Sequence, residues 1–560
     1  MVEFQNDYWI PLDRNKNMRD KLDISIKDIG ISHGMGDPLK GLRTHIAEGA
    51  SHVELGFGGI GKGSLSGGNV TPETVSKESR KAIKELSRIN KVGVSTHASY
   101  GVTGFAGFTP QGFSDSEQQK NLNEIKKAIE FAADATEGGA VVIHPGEFPR
   151  PISEFEGFEE YEGEKQKGIV NFVDDRTGKI LQLTQDIAVH KPVMENGEYV
   201  IDKSGGYKLE KWGYKDYLNK FGGEKTKAAE AFYKDYLRNE FEKSEAISNR
   251  RRLQANDIKK EIDEVDALIK TATEDKKLKY KSLLEELKNK REAFIEESLA
   301  HAKDAAEKKE TFDHIKPIKD YGLKRSASAI SDAAIYAYEL EKKRDLKKPL
   351  FISPENIFPE FGYSSHPKEL KELIQQSRKE LARKLMQKKG LSKEGAKEEA
   401  EKHIRATFDI GHVNVWKRFF KGSDEDFKKW VNKEVDDLVK NKIIGHVHMS
   451  DNFGYNDEHL KIGEGNAPIE DFVKKMVKAG ITKEGPLIAE GGGTDPYHEA
   501  LTGAWEKLNA ASLYRTGSPS KTWEDIEIEG KGHGYTTRHI PEEFGTNKER
   551  FKPWSTVPLE

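Results

Sequence analysis

The stretch Val92-Gly-Val-Ser-Thr-His97, followed by a helical segment over 115–135 and then Ala140-Val-Val-Ile-His144, decides the fold class of this chain. Two short apolar runs separated by a helical segment are the pattern of a β–α–β unit with parallel strands. Both runs end in a histidine, at the carboxyl end of the predicted strand. The stretch therefore predicts a parallel sheet whose strand ends carry residues able to bind a metal.

The same alternation extends in both directions from this unit. Further strands are predicted over 28–33, 51–57, 349–355, 406–409, 443–448 and 486–490, and helices over 38–48, 72–90, 326–343, 424–439, 468–479 and 496–511. The strands number four before residue 150 and four after residue 325. Eight βα units predict a (β/α)8 TIM barrel of class α/β, its first half in residues 1–150 and its second in 325–511.

A large insertion, residues 151–324, follows the fourth strand. Period-two alternation with turn dipeptides such as Asn196-Gly197 predicts a small antiparallel sheet over 169–212. The charged stretch over about 224–309 predicts an antiparallel helical hairpin, because Ile258, Ile262, Val265 and Ile269 recur at helical spacing. We expect this stripe to be the packing seam of the hairpin. Binding of a protein partner, or self-association through the insertion, is the alternative. Residues 512–560 are expected to form an irregular C-terminal extension.

Composition sets limits on function. Charged residues make up 33% of the 560 residues and the formal net charge is -4, which argues against a broad basic surface but not against a local basic groove. The chain has no cysteine, so disulfides, thiolate metal sites and cysteine nucleophiles are excluded. Richness in Lys and Glu is a trait of thermophile proteins. No apolar stretch approaches 18 residues and the N-terminus lacks a leader pattern, so we expect a cytoplasmic protein that does not contact membranes.

Potential metal ligands stand at the ends of six predicted strands. In a TIM barrel these ends converge on one face. An uncompensated cluster of carboxylates would be repulsive, and bound cations remove that repulsion. His412, three residues after Asp409, adds one more donor, and Asp-x-His on the loop of the segment 443–465 adds two. The nine candidate ligands are His97, His144, Glu355, Asp409, His412, His448, Asp457, His459 and Glu490. His33 and Glu54, at or near the ends of their strands, could line the pocket, but we expect them to be hydrogen-bonded core residues; His446 should share the face of His448 and lie behind the ligands.

These residues stand in motifs that resemble the endonuclease IV family (AP endonuclease 2 family) of the xylose isomerase-like TIM barrels. The resemblance covers roughly residues 27–150 and 325–505. The motifs are H-A-S-Y (97–100), H-P-G (144–146), E-N (355–356), D-I-G-H (409–412), H-M-S-D (448–451), D-E-H (457–459) with I-G-E-G (462–465), and Glu490.

The resemblance implies a metal-dependent hydrolase with three zinc ions that cleaves DNA at abasic sites through a metal-bound hydroxide. It implies that His97 and His144 hold one ion, that Asp409, His448 and Glu490 hold a second, and that Glu355 bridges the two. His412, Asp457 and His459 would hold the third. Catalytic roles are expected for Glu355, Glu490 and His144, and substrate contacts for Tyr100, Lys62, Asn356 and Asp451. Lys62 is the only cation in a loop where the family carries an inserting arginine.

Two other functions remain open from the sequence. A sugar or sugar-phosphate isomerase or epimerase of the same superfamily needs one Mn²⁺ or Mg²⁺ ion, held by Glu355, Asp409, His448 and Glu490. Such an enzyme has no need of the other five candidate ligands, which favours the nuclease. The third hypothesis is a barrel scaffold whose helical insertion binds a partner.

Overall fold

A closed barrel of parallel strands carries the candidate site. The computed structural model describes residues 22, 24–34, 36–61, 69–158, 169–184, 186–491, 499–508 and 510. Within these residues the barrel strands, labelled β1 to β8, are Ile29–His33, His52–Phe57, Gly93–Ser99, Gly139–Ile143, Leu350–Pro354, Ala406–Asp409, Ile444–Met449 and Leu487–Ala489. All eight were predicted from the apolar runs of the sequence.

The strands pair in the order β5-β4-β3-β2-β1-β8-β7-β6, and every pair is parallel. Parallel bridges between Ile352 and Ile404 and between Glu355 and Thr407 join the two ends of this order. The TIM barrel is therefore confirmed. The register places Asp409 opposite His448, so that neighbouring strands deliver their polar ends to the same level.

Helices follow the strands as the alternation predicts. They are Pro38–Glu48, Lys77–Asn90, Asp115–Ala135, Ile318–Arg344, Pro367–Lys389, Lys393–His403, Ile410–Asn414, Asp424–Lys440, Ile469–Lys478, Ile481–Glu484 and Ala500–Lys507. Capping side chains fix several starts: Asp37 accepts a hydrogen bond from the backbone of Lys40. The helix predicted from residue 72 begins only at Lys77, because Ser76 caps it and Pro72–Thr74 forms a separate 3-10 turn.

Most apolar side chains of the barrel strands and helices form one continuous core, and Ala140, Val142 and Phe351 form a small separate cluster. Val53, Leu55, Ile352, Val447 and Leu487 are among the fully buried members of the continuous core. Alternate strand residues point into the barrel or towards the helices, so both faces of each strand are covered. A sheet enclosed in this way holds the polar ends of its strands at fixed positions.

A second compact unit comprises residues 110–113 and 167–321. Its strands are Gly112–Phe113, Ile169–Asp174, Ile180–Thr184, Ala188–Pro192, Met194–Glu195, Glu198–Tyr199, Leu209–Gly213 and Ile315–Pro317, and its helices are Tyr214–Lys220, Lys225–Thr271 and Glu274–His314; the short strand Phe108–Thr109 belongs to the first unit. The predicted hairpin is present: Ile258, Val265, Leu284 and Leu287 are buried in its seam. A separate core around Phe172, Tyr217 and Phe232 supports the small sheets.

Some expectations fall outside the described residues. Lys62 and the C-terminal extension 512–560 are among the positions for which no structure is described. Among the helices of the described ranges, none combines the length and apolar character needed to cross a bilayer.

Candidate metal centre

The nine predicted ligands meet at the carboxyl ends of the barrel strands in three groups. Within each group the potential ligand atoms lie within 4.8 Å of one another. The first group is His97, His144 and Glu355, the central group is Glu355, Asp409, His448 and Glu490, and the third group is His412, Asp457 and His459. Glu355 belongs to the first two groups, and its Oε1 lies 3.4 Å from Nδ1 of His412 in the third, so the three groups adjoin.

In the first group, one carboxylate oxygen faces two imidazoles. Glu355 Oε2 lies 3.3 Å from Nε2 of His97 and 3.4 Å from Nε2 of His144. The two rings lie edge to face with centroids 4.8 Å apart. Glu355 is fully buried at the end of β5, whereas His144, following β4, keeps some exposure. Three potential metal ligands, from the ends of β3, β4 and β5, therefore point towards one another.

The central group contains three carboxylates around one imidazole. Nδ1 of His448 lies 3.0 Å from Glu355 Oε1 and 3.3 Å from Glu490 Oε2. Asp409 is held by hydrogen bonds from the hydroxyl of Ser450 and from the backbone N–H of Gly411. All of these side chains except that of Glu490 are fully buried. Such a set of oxygen and nitrogen donors suits Zn²⁺, Mn²⁺ or Mg²⁺.

The third group combines a helix residue with two loop residues. Asp457 Oδ2 lies 3.2 Å from Nε2 of His412 and 2.8 Å from Nε2 of His459. His459 has a positive φ of 49°, a left-handed conformation that costs energy in a residue with a Cβ. The loop thus holds His459 in a strained conformation that turns its ring towards Asp457.

Backbone carbonyl groups fix the ring orientation of three histidines. Nδ1 of His97 contacts the carbonyl oxygen of Ala98 at 2.8 Å, Nδ1 of His412 that of Asn356 at 2.7 Å, and Nδ1 of His459 that of Glu490 at 3.1 Å. A ring that donates from Nδ1 to a carbonyl presents the lone pair of Nε2 on its other side. All three rings therefore direct Nε2 into the candidate groups.

Burial and mutual repulsion govern the protonation of the central carboxylates. Burial raises the pKa of Asp409, and the charges of Glu355 and Glu490 raise it further against the opposing effect of His412. Burial also disfavours ionised Glu355 and Glu490, but His448 and the other imidazoles outweigh it and lower the pKa of both carboxyl groups. Three carboxylates so close together call for a compensating positive charge.

In the third group, the carboxylate of Asp457 and the imidazoles of His412 and His459 stabilise each other's charged forms. Burial opposes the ionised form of Asp457, yet His412 and His459 hold the pKa of its carboxyl far below the ordinary value. Burial likewise opposes the charged form of His459, but Asp457 raises its pKa to about 9. A divalent cation in this group would displace the extra protons of the His412 and His459 imidazoles, because an imidazole must be neutral to bind a metal. The donor chemistry of all three groups fits divalent cations.

Asn356 was expected to contact substrate, and its surroundings correct that expectation. The side chain is fully buried, its amide nitrogen donates to the carbonyl oxygen of Asp409 at 2.8 Å, and its amide oxygen accepts from the backbone N–H of Asp409 at 2.9 Å. Both ends of the amide are therefore engaged, and Asn356 positions Asp409 rather than facing a ligand.

Asp451 was also expected to contact substrate, and it organises the metal-site loop instead. Its carboxylate accepts hydrogen bonds from the backbone N–H groups of Asn452, Gly463, Gly465 and Ala467 at 2.8–3.0 Å. These bonds close the loop that carries Asp457 and His459. Since the carboxylate is buried and saturated by backbone donors, it is not available to a substrate.

Tyr100 lies at the edge of the first group. Its ring centroid is 4.4 Å from that of His97 and 5.9 Å from that of His144. Its hydroxyl lies over Gly56, where any Cβ atom would collide with it. Half-buried against the candidate ligands, Tyr100 is placed where a substrate contact is feasible, and that role stays a prediction. The same prediction for Lys62 lies outside the described residues.

Glu54 is more closely involved in the centre than its sequence position indicated. Its Oε1 lies 2.8 Å from Nε2 of His448, and its Oε2 lies 2.7 Å from Nε2 of His446. Glu54, His446 and His448 thus form a further buried set with ligand-like spacing. The alternation of residues along β2 could have predicted that Glu54 points into the barrel. The same alternation could not have predicted that its partner is His448 on β7.

Sequence comparisons match parts of this chain to known proteins. Residues 394–509 match the family model described as a xylose isomerase-like TIM barrel. An uncharacterized protein of Methanocaldococcus jannaschii is 42% identical over 81 residues, a match that covers 14% of this chain and 23% of that relative. The chain therefore matches less than a quarter of the length of this relative.

Similar solved structures include a D-tagatose 3-epimerase-like protein (TM-score 0.36, 14% identity, covering 86% of this chain and 96% of that one). A protein of Anabaena variabilis described as a sugar phosphate isomerase/epimerase has a TM-score of 0.34 and 10% identity, covering 92% and 99% of the two chains. D-Allulose 3-epimerase from Methylomonas sp. has a TM-score of 0.34 and 10% identity, covering 87% and 92%. The chain therefore has the fold of a TIM barrel, and its residues 394–509 are similar to the xylose isomerase-like TIM barrel family.

Proposed function

We propose that this protein is a multi-metal phosphodiester hydrolase that cleaves DNA at abasic sites. The observation that carries the proposal is the separation of nine ligand-type side chains into three adjoining groups, two of which share Glu355. A proton-transfer reaction on a sugar requires one metal site, whereas charge on a phosphodiester is well matched by several cations. The first and third groups are unexplained by a one-metal reaction.

Divalent cations bound in these groups would neutralise phosphate charge and lower the pKa of an attacking water. The residues that would hold them are the members of the three groups. Glu355 ties the first group to the central one through its two oxygens, because Oε2 faces His97 and Oε1 faces His448. His144 and Glu490 stand at the more open edges of their groups, where they can contact a phosphate or its water.

A cleft beside the third group supports a nucleic-acid substrate. It has a volume of about 460 Å³ and its lining includes Lys417, Arg418, Phe453 and Tyr455. Phe453 is 50% exposed and Tyr455 66% exposed, on the same loop that continues to Asp457. Exposed aromatic rings can stack with bases and cations can contact phosphates. In the structure Lys417 is paired with Asp424 and Arg418 with Glu360, so a bound phosphate would exchange these partners, while the two aromatic rings are exposed for stacking.

A sugar or sugar-phosphate isomerase or epimerase is the second candidate function. The specific observation in its favour is the central group, which by itself offers three carboxylates and one imidazole to a single ion. In such an enzyme Glu355 and Glu490 would exchange a proton with the carbon next to a carbonyl. The two functions therefore differ in whether the third group is needed.

The decisive experiment measures metal content and cleavage on the purified full-length protein. We expect about three divalent ions per chain and incision of a duplex oligonucleotide that contains one abasic site, with an undamaged duplex left intact. One bound ion per chain, no incision and proton exchange at carbon of an aldose or ketose would contradict the nuclease and support the isomerase.

The variant Asp457→Asn separates the two functions further. It removes the charge that joins His412 to His459 while leaving the central group unchanged. We expect incision to fall by at least ~100-fold, as is common when a catalytic-site group is lost. Asp257→Asn, in an exposed ion pair with Lys260 on the helical hairpin, is the matched control and should retain incision. Full incision by Asp457→Asn would contradict the proposal.

A further inference from the structure

His448 differs from the other oriented histidines of the centre in the nitrogen it directs inwards. His97, His412 and His459 present Nε2 and rest Nδ1 on a backbone carbonyl. His448 presents Nδ1 to Glu355 and Glu490, and its Nε2 faces the carboxylate of Glu54. One imidazole of the centre is therefore backed by a full negative charge rather than by a carbonyl dipole.

The contact between Glu54 and His448 is close and buried. Glu54 Oε1 and His448 Nε2 lie 2.8 Å apart, an ion-pair contact rather than a well-aligned hydrogen bond, and neither atom has a hydrogen-bond partner among the described residues. Both side chains are fully buried, so water does not substitute for either partner. The Glu54 carboxylate is thus the charged group that Nε2 of His448 faces, and a proton held on Nε2 leaves the Nδ1 lone pair for the central group.

The other oxygen of Glu54 is fixed by β3 and β7. Oε2 accepts a hydrogen bond from the hydroxyl of Ser95 at 2.8 Å and faces Nε2 of His446 at 2.7 Å. Ser95 in turn lies 3.0 Å from Nε2 of His52, which extends the network below the centre. Strand pairing places Glu54 opposite Ser95, so the carboxylate is held by rigid elements.

We infer that Glu54 is a positioning residue that makes His448 bind its metal through Nδ1 and strengthens that bond. A carboxylate behind a metal-binding imidazole orients the ring and raises its basicity, and loss of such a partner typically lowers metal affinity by roughly 10- to 100-fold. The inference rests only on the metal centre, which both candidate functions share. It assigns Glu54, Ser95 and His446 to the support of the central group and not to a further metal site.

The test measures metal binding without any substrate. Metal-free wild type and Glu54→Gln are titrated with Co²⁺, followed by the absorption of the bound ion and by competition with a chromophoric chelator. Glu54→Gln keeps the shape of the side chain but removes its charge. We expect the ion of the central group to bind roughly 10- to 100-fold more weakly with an altered spectrum, while ions in the other groups are retained.

Glu341→Gln is the matched control. Glu341 Oε2 lies 2.9 Å from Nε2 of His403, a buried carboxylate–imidazole pair of the same kind outside the centre. Glu341→Gln should bind Co²⁺ like the wild type. Unchanged affinity and spectrum in Glu54→Gln, or an equal loss in Glu341→Gln, would overturn the inference. Wild type that binds metal but cleaves no DNA would contradict the proposed function alone.

A crystal structure of the wild type loaded with Mn²⁺ keeps the test independent of how the variants fold. Anomalous scattering should locate an ion bonded to Nδ1 of His448, with Nε2 directed at Glu54. Bonding through Nε2 would overturn the inference. An ion among Glu54, His446 and His448 would do the same, because these side chains would then be ligands.

Discussion

The backbone carbonyl oxygen of Glu490 accepts a hydrogen bond from Nδ1 of His459 at 3.1 Å, while the carboxylate of the same residue lies 3.3 Å from Nδ1 of His448. One residue at the end of β8 therefore serves two groups, through its backbone and through its side chain. The ring orientation of His459 in the third group depends on the backbone position at the end of β8. The central group depends on the Glu490 carboxylate as a potential ligand.

This division predicts a selective effect of Glu490→Gln. The substitution leaves the backbone carbonyl in place, so His459 should keep its orientation. We expect affinity for the ion of the central group to fall by more than roughly 100-fold, since a ligand is lost rather than an outer partner. The third group should still bind its ion. Metal analysis after dialysis against limiting Zn²⁺ measures both, and loss of every ion would show that the groups cannot be separated.

Asp451→Asn is expected to disorganise the loop of the third group. Four backbone N–H groups point at the Asp451 carboxylate, and an amide would place its own N–H groups against some of them. Leaving buried donors unpaired costs about 1–3 kcal/mol each. We expect a lower free energy of unfolding in urea and loss of the third-group ion. An Asp451→Asn protein with full stability and full metal content would refute the assigned role.

Gly465→Ala tests the same loop by sterics alone. A Cβ atom at Gly465 would collide with the carbonyl oxygen of Asn452 and with the carboxylate of Asp451. We expect a destabilisation of about 1–3 kcal/mol, as in other overpacked sites. Gly503→Ala is the control: outside its own helix backbone and its chain neighbours, no described residue has an atom within 4 Å of the position that its Cβ would occupy, and it stands inside the helix Ala500–Lys507. That variant should be neutral or up to about 1 kcal/mol more stable.

The buried carboxyl group of Glu147 should make the free energy of unfolding depend on pH. Burial raises the pKa of its carboxyl from 4.5 to about 7, and hydrogen bonds from the backbone of Ala106 and Phe105 offset this only in part. Because the folded state holds the proton more tightly, this group destabilises the fold progressively as pH rises from 4.5 to about 7, by about 3 kcal/mol in total. Below 4.5 and above 7 its contribution is constant.

The measurement compares wild type with Glu147→Gln by urea unfolding between pH 4 and 8. The amide oxygen can still accept the two backbone hydrogen bonds but does not ionise. We expect the stability of the variant relative to wild type to increase across this window. A difference that stays constant with pH would show that the Glu147 carboxyl titrates normally in the folded protein.

Much of the barrel and of the centre could be predicted from the sequence because both follow from strand periodicity. Apolar runs located all eight strands, and polar residues at their carboxyl ends converge in any barrel of this kind. Locating the strands therefore predicted that the nine candidate ligands lie close together. The hairpin of the insertion was predictable for a similar reason, since Ile258 and Val265 mark one helical face.

Roles that depend on hydrogen-bond direction could not be predicted in this way. Asn356 and Asp451 also follow strand ends, yet they point at backbone groups rather than into the opening of the barrel. The sequence gives the type of a polar side chain, but not the group with which that side chain forms its hydrogen bonds. Glu54 was underestimated for the same reason, because its partner His448 lies on a strand almost four hundred residues further along the chain.

The sharing of Glu355 between two groups also sets an order of events during synthesis. His97 and Glu355 are in contact although 258 positions separate them along the chain. No metal group that contains Glu355 can assemble until β5 has left the ribosome, after the whole insertion. That insertion has its own core of Phe172, Tyr217 and Phe232, so it has the means to fold while the first four strands still lack their neighbours. Capture of metal is thereby deferred to a late stage of biogenesis.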